Sequence, residues 1–204
     1  PGRRAPEPVP GTAPSATGRD LPVATAVGLF LVLLFVGALM WRPWSVAALV
    51  AVVLGLGAVE FYDKVTERGY RPAVVPGIVT CVTAPLAAYW LGDGTLPLVL
   101  LLGFAATAGT YIGSRSIDIG PLPNISITTL PTVWIGLAGA YAGLILRFST
   151  TGELLRADTG TDTLFMLALA VVANDVGALF VGSAAGRTPL RSWISPSKTV
   201  EGFI

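Results

Sequence analysis

From Thr163 to Val181 the chain reads TLFMLALAVVANDVGALFV, an apolar run broken only by Asn174-Asp175. At about 1.5 Å of rise per residue, roughly 20 helical residues cross the ~30 Å of hydrocarbon in a bilayer, so this run reads as a transmembrane helix. An acid near the centre of a span costs about 2.5–3.5 kcal/mol, less toward the interface, and is compensated by a partner, a metal or a wet cavity. Asp175 lies about 18 Å along the run by helical rise and is expected to face inward. Asn174 points about 100° away around the helix, so the two polar side chains share one flank. An interhelical hydrogen bond alone would satisfy such an acid, but intramembrane acids are more often functional, and the functional reading is favoured. Gly177 on this run and Gly182 just after it are expected to let another segment or a ligand approach closely.

The whole composition agrees with a membrane setting. The chain is 53% apolar and 12% charged, with a mean hydropathy of +0.72, against roughly 25% charged residues in a soluble domain. A net charge of +1 gives no reason to expect nucleic acid as a partner. The absence of histidine excludes Ser-His and Cys-His catalysis within this stretch and leaves oxygen atoms as the donors for any metal. Cys81, the single cysteine, cannot form an intrachain disulfide and reads as a small buried apolar residue.

Five further apolar runs surround the first. Residues 1–20, beginning PGRRAPEPVPGTAPSATG, are too poor in large apolar residues to offset ordering entropy and read as a disordered tail. Residues 21–204 then form a membrane-embedded domain. Its first span is Leu21 to Trp41; the second runs from about Trp44 to Val59 and continues as helix to a stop at Gly69. On that extension Glu60 and Lys64 lie one turn apart and are expected to pair, whereas Asp63 and Glu67 repel. Span three is Ala73 to Leu91, with Pro76 and Pro85 as candidate kinks; Gly92-Asp93-Gly94 turns the chain into span four, Thr95 to Gly113. A Pro-rich connection (Gly120, Pro121, Pro123, Asn124) precedes span five, Thr128 to Leu146, and Ser149 to Asp162 form the longest loop before span six. The expected fold is all-α, a polytopic bundle of about six transmembrane helices. The chain opens on Pro1 and stops at Ile204 within an apolar phrase, which reads as part of a longer protein.

Loop charges orient the bundle. Arg3, Arg4, Arg19, Lys64, Arg68, Arg71, Arg115, Arg187, Arg191 and Lys198 fall on one side, and Arg42, Arg147 and Arg156 on the other. The positive-inside rule places the first group, both chain ends and the Asp175-to-Lys198 region in the cytoplasm, the expected location being the cell's inner (plasma) membrane. The corner Ser195-Pro196-Ser197-Lys198-Thr199 has the residues of a helix start, Ser as N-cap and Pro at the first helical position, and free N–H groups there would suit a phosphate. Arg187, Arg191 and Lys198 together with Asp175 are the complement expected for a metal-bound polyphosphate and an anionic lipid headgroup, although positive-inside charge alone accounts for the two arginines about as well.

The phrase Asn174-Asp175-Val-Gly-Ala-Leu-Phe-Val-Gly182, then Gly186-Arg187, then Ile194-Ser-Pro-Ser-Lys-Thr-Val-Glu-Gly202 resembles the phosphatidate cytidylyltransferase (CDP-diacylglycerol synthase) family. Glu60-Phe61-Tyr62 looks like that family's equivalent segment after its second span. The resemblance implies transfer of CMP from CTP to phosphatidate with magnesium, giving CDP-diacylglycerol and pyrophosphate, with a homodimer as a candidate assembly. It implies catalytic roles for Asp175, Lys198 and Glu201, with Asp175 holding metal or nucleotide and Glu201 bracing the corner or meeting the metal shell. Substrate contacts are implied for Asn174, Arg187, Arg191, Ser195, Ser197 and Thr199. The rival readings are a CTP-dependent polyprenol kinase and a transporter using Asp175 as an ion site; against the latter, the polar residues gather at one end and line no path across several spans. The family signature continues beyond this chain with further acidic and basic residues. Residues 1–204 by themselves are therefore expected to be inactive with CTP, phosphatidate and magnesium, and robust turnover in that assay would overturn the expectation.

Overall fold

The computed structural model describes residues 21–113, 120–150, 158–191 and 195–203; the expected N-terminal tail, Arg115, Asp118 and Arg156 lie outside them. The helices are α1 (Leu21–Trp41), α2 (Pro43–Glu67), α3 (Val74–Leu91), α4 (Leu96–Ile112), α5 (Pro121–Pro131), α6 (Ala138–Arg147) and α7 (Thr159–Ala185). A π-helical turn, Thr132–Leu137, joins α5 to α6. Five helical segments are long and apolar enough to cross a membrane: α2, α3, α4 with its leading turn, the α5–α6 rod Pro121–Arg147, and α7. With α1, itself a 21-residue apolar helix, they give an all-α polytopic membrane helix bundle and a multi-pass membrane protein.

The chain divides into two compact units, Pro1–Gly37 and Ala38–Ile204. Among described residues the first is the greater part of α1. In the second, α3 is the central helix, packed by α2, α4 and α6. Its neighbours approach closely because the contact residues are small. Ala84, Ala88 and Ala140 form one buried cluster with Leu96, and Ala58, Tyr62 and Cys81 form another. Such packing replaces the hydrophobic drive that is missing between helices in lipid. Gly77 shows the constraint: a Cβ there would run into the Tyr62 ring.

Where the backbone cannot pair with itself, buried side chains supply the partners. Tyr62 donates to the Thr128 carbonyl at 2.8 Å, the Ala73 amide donates to Thr128 Oγ1 at 2.9 Å, and the Arg71 amide donates to Asn124 Oδ1 at 2.7 Å. Asn124 Nδ2 in turn donates to the Gly120 carbonyl, and Tyr111 donates to the Arg71 carbonyl. Both Asn124 and Thr128 are fully buried. This network fastens the end of α2, the link into α3, the end of α4 and the start of α5.

Several boundaries differ from the sequence expectation. The stretch expected as a Pro-rich connection is already helix: Gly120, at φ 85°, precedes α5, and Pro121 and Pro123 occupy its first turn, where a missing N–H costs nothing. Pro76 likewise sits in the first turn of α3, and the helix continues through Pro85. The α2 extension ends where expected, with Gly69 at φ 90°, but Lys64 pairs with Glu67 at 2.8 Å rather than with Glu60. The longest loop is shorter than expected because α7 starts at Thr159, where Gly160 packs on the end of α6 and the Thr161 amide donates to Ser149 Oγ.

Asn124→Leu removes two part-buried hydrogen bonds, from the Arg71 amide and to the Gly120 carbonyl, each worth about 1 kcal/mol, and leaves a cavity-prone fully buried site, whereas Tyr62→Phe deletes a single hydrogen bond of about 1 kcal/mol. Thermal unfolding in detergent micelles is expected to rank Asn124→Leu well below Tyr62→Phe, and both below the parent chain.

Candidate active site

The last described residues fold back on α7. Beyond Gly186, β1 (Pro189–Arg191) pairs antiparallel with β2 (Ser195–Thr199), Pro189 opposite Thr199 and Arg191 opposite Ser195, with a register irregularity between them. The expected helix start at Ser195-Pro196 is therefore corrected to a strand. Proline tolerates an extended edge position, and the ladder to β1 uses backbone that a helix N-terminus would have left free. A phosphate site built on helical N–H groups is not present at this corner.

The ribbon seats on a small-residue face made by Ala178 and Gly182 of α7 and by Gly186, which caps the helix end. A Cβ on Gly202 would lie 2.8 Å from the Ala178 carbonyl oxygen and 2.9 Å from Gly182 Cα, and one on Gly186 would lie 2.8 Å from Thr199 Oγ1. Gly182 is thus used as expected, for close approach. At Gly177 no other described segment approaches: nothing lies within 4 Å of a Cβ built there, and the residue lines an open recess.

The turn Val200–Phe203 is held by Glu201. Its carboxylate accepts from the Arg187 amide at 3.1 Å, from the Thr188 amide at 3.2 Å and from Thr188 Oγ1 at 2.9 Å. Val200 N donates to the Thr188 carbonyl at 2.9 Å, and Gly202 N donates to Thr199 Oγ1 at 3.3 Å. A hydrogen bond from its own backbone amide, then the Thr188 hydroxyl and the amides of Arg187 and Thr188, hold the Glu201 carboxyl down to about 2. Because these bonds favour the charged form, the clamp is complete above the ordinary carboxylate range and is released only as pH falls through about 2.

Between α7 and the ribbon lies a recess of about 880 Å³ lined by Asn174, Asp175, Lys198, Thr199 and Glu201, with Ala178, Gly182 and Gly202 at its back. Leu179, Leu190 and Phe203 form its apolar side, and Leu179 and Phe203 are 70% and 78% exposed. Asp175 does not point into the helix bundle as expected; it is exposed and faces this recess. The reason is that α7 packs on α6 chiefly through its first turns, so the later turns leave their flanks open to the returning chain.

The structure thus brings together five of the expected site residues, those of α7 and those of the ribbon and its turn being 23 or more positions apart in the chain. Arg187 contributes its backbone amide to the clamp, while its side chain is exposed and is not part of the recess wall. The side chains of Arg191, Ser195 and Ser197 lie outside the described residues; their backbones are in the ribbon. Thr188, which holds Glu201, was not anticipated from the sequence, since nothing in Arg-Thr-Pro marks a threonine as a donor to a residue thirteen positions on. No group of three or more His, Cys, Asp or Glu suited to a metal occurs among the described residues.

Gly202→Ala drives a methyl against backbone that cannot yield, so hydrogen–deuterium exchange in residues 195–203 is expected to rise strongly. Gly177→Ala, which meets open space, is expected to leave that exchange unchanged.

The profile of the cytidylyltransferase family matches residues 22–204. Phosphatidate cytidylyltransferases of Mycobacterium bovis and Mycobacterium tuberculosis are each 30% identical over 210 residues, covering 95% of this chain and 64% and 60% of theirs. That of Bacillus subtilis is 24% identical over 192 residues, covering 91% of this chain and 65% of its own. The chain therefore spans somewhat under two thirds of the length of these relatives. No solved structure matches. With a family profile matching nearly its whole length, the chain belongs to the cytidylyltransferase family.

Proposed function

We propose that this chain carries part of the active site of a phosphatidate cytidylyltransferase, an enzyme of phospholipid biosynthesis that transfers CMP from CTP to phosphatidate. The observation that carries the reading is the recess that gathers Asn174 and Asp175 from α7 with Lys198, Thr199 and Glu201 from the ribbon. The relatives' printed name supports the choice of substrates. The apolar wall of Leu179 and Phe203 suits a lipid, and the Lys198 ammonium suits phosphate oxygens.

In this reaction an oxygen of the lipid phosphate attacks the α-phosphorus of CTP, the bond to the β-phosphate breaks, and pyrophosphate leaves. Lys198 offsets the negative charge that the CTP polyphosphate brings into the recess, and Arg187, exposed at the end of α7, adds a second cation nearby in sequence. Asn174 supplies an amide able to orient a phosphate or a ribose hydroxyl. Thr199, already engaged with Gly202, and Glu201, engaged with Thr188, keep Lys198 on the wall opposite Asp175. Ser195, Ser197 and Arg191 complete the proposed substrate contacts.

Magnesium is the proposed cofactor. Its hard oxygen chemistry fits Asp175, because a magnesium ion is often held by one or two carboxylates with the remaining positions taken by substrate phosphates and water. Both oxygens of Glu201 already accept hydrogen bonds, which favours Asp175 as the ligand. When bound, the ion neutralises the polyphosphate and polarises the reacting phosphoryl group.

The positive-inside split supports an inner-membrane location with the N-terminus and the recess cytoplasmic, on the side where CTP is found. A homodimer is the proposed assembly, and it rests on the resemblance to the family alone.

The test uses the full-length gene product in phosphatidate vesicles with magnesium and CTP labelled at the α or the γ phosphate. Label is expected to enter lipid from the α position only; entry from γ would mean a CTP-dependent kinase instead. Asp175→Asn and Lys198→Ala are each expected to lower the rate by about a hundredfold or more, the scale for losing one preorganised charge contact, and chelation of magnesium is expected to abolish it. Wild-type rates in either variant would overturn the assignment.

A further inference from the structure

We propose that Thr188 is a positioning residue for this site: it sets the place of Lys198 in the recess by holding the Val200-Glu201 turn against the end of α7. This rests on the cytidylyltransferase reading and assigns a role to a residue outside the recess wall.

Thr188 binds the turn in both directions. Its amide and its hydroxyl donate to the Glu201 carboxylate, at 3.2 and 2.9 Å, and its carbonyl accepts from Val200 N at 2.9 Å. Three of the polar groups of one residue therefore go to two consecutive residues of the turn. Val200 and Glu201 follow directly on Lys198-Thr199, so the backbone that carries Lys198 is fixed within two residues of its side chain. On its other side Thr188 is joined through Arg187 and Gly186 to the end of α7, and Asp175 lies on that helix. The relation between the Lys198 ammonium and the Asp175 carboxylate thus runs through Thr188.

The β1–β2 ladder joins the strand of Lys198 to β1 and not to α7, and the ribbon's other holds on the helix end give less direction than this one. The seat of Thr199 and Gly202 on Gly182 and Gly186 is a packing contact with little directional content. The Arg187 amide gives Glu201 one further donor but does not reach Val200. The hydroxyl of Thr188 is the single side-chain donor to Glu201 among the described residues, and valine would keep its shape while removing it. A positioning role predicts that loss of the hydroxyl degrades the interaction Lys198 makes and leaves the lipid side of the reaction alone.

In the full-length protein with CTP, magnesium and phosphatidate vesicles, Thr188→Val is expected to lower kcat/KM for CTP about tenfold, in line with the cost of a small misplacement of an aligned group. The KM for phosphatidate should stay within about twofold, and Thr188→Ser, which restores the hydroxyl, should return kcat/KM to about the wild-type value. Thr188→Val combined with Lys198→Ala should be no slower than Lys198→Ala alone, because both remove one interaction. An unchanged kcat/KM in Thr188→Val, a failure of Thr188→Ser to rescue, or multiplicative losses in the double variant would each overturn the proposal. If wild-type protein transfers no CMP, the enzymatic reading falls, and hydrogen–deuterium exchange of residues 198–203 decides the structural part. Faster exchange in Thr188→Val but not in Thr188→Ser sustains the hold on the turn, and equal exchange in both removes it.

Discussion

Hydrocarbon offers a backbone amide or carbonyl no water to bond, and the placement of nearly every polar group in this chain follows from that constraint. The spans are helical because only a helix pairs its own backbone. Prolines enter the bundle mostly at first turns, at Pro43, Pro76, Pro97, Pro121 and Pro123, where an absent N–H was unpaired in any case. Where the chain must leave a helix between α2 and α3, the fully buried Asn124 and Thr128 take over the bonding of the link. The described, non-exposed side chains contain no buried polar atom without a partner, so the bundle closes its polar accounts internally.

The site obeys the same constraint in a different way. A carboxylate at Asp175 is tolerated because the last turns of α7 do not pack into the bundle; they meet a ribbon that brings its own polar residues. The ribbon stays there because α7 has no side chains in its path at Gly182 and Gly186, and because Glu201 is surrounded by donors. One contact sets distance and the other sets direction. A close seat without the carboxylate would allow the turn to slide along the helix, and the carboxylate without the glycines could not reach its donors.

Much of the fold was legible because hydrophobic length is a strong signal. The spans, the tight turn at Gly92 and the stop at Gly69 all follow from apolar run length and from glycines at positive φ. Less legible were the places where one residue type serves two structures. Ser195-Pro196 satisfies the requirements of a helix cap and of an edge strand equally well, and the choice was made by pairing with Pro189–Arg191, a partner that local pattern does not reveal. Pro121-Leu-Pro123 reads as a loop until one sees that both prolines fall in a first turn. Lys64 had acidic neighbours at Glu60 and Glu67, and side-chain reach on the exposed end of α2 selected Glu67.

By itself the sequence determined that the chain lives in a membrane, how many apolar helices it has, and which polar residues are expensive enough to need a reason. These are properties of composition and of run length, which add up residue by residue. Only the tertiary structure decided that Asp175 faces a recess rather than the bundle, that Glu201 braces the turn through Thr188, and that Lys198 lines the same recess as Asn174 and Asp175. Those facts depend on the closure of a two-stranded ribbon onto one face of α7. Closure is a contact between residues distant in the chain, and its energy resides in the fit of the two surfaces, which no single stretch of sequence contains.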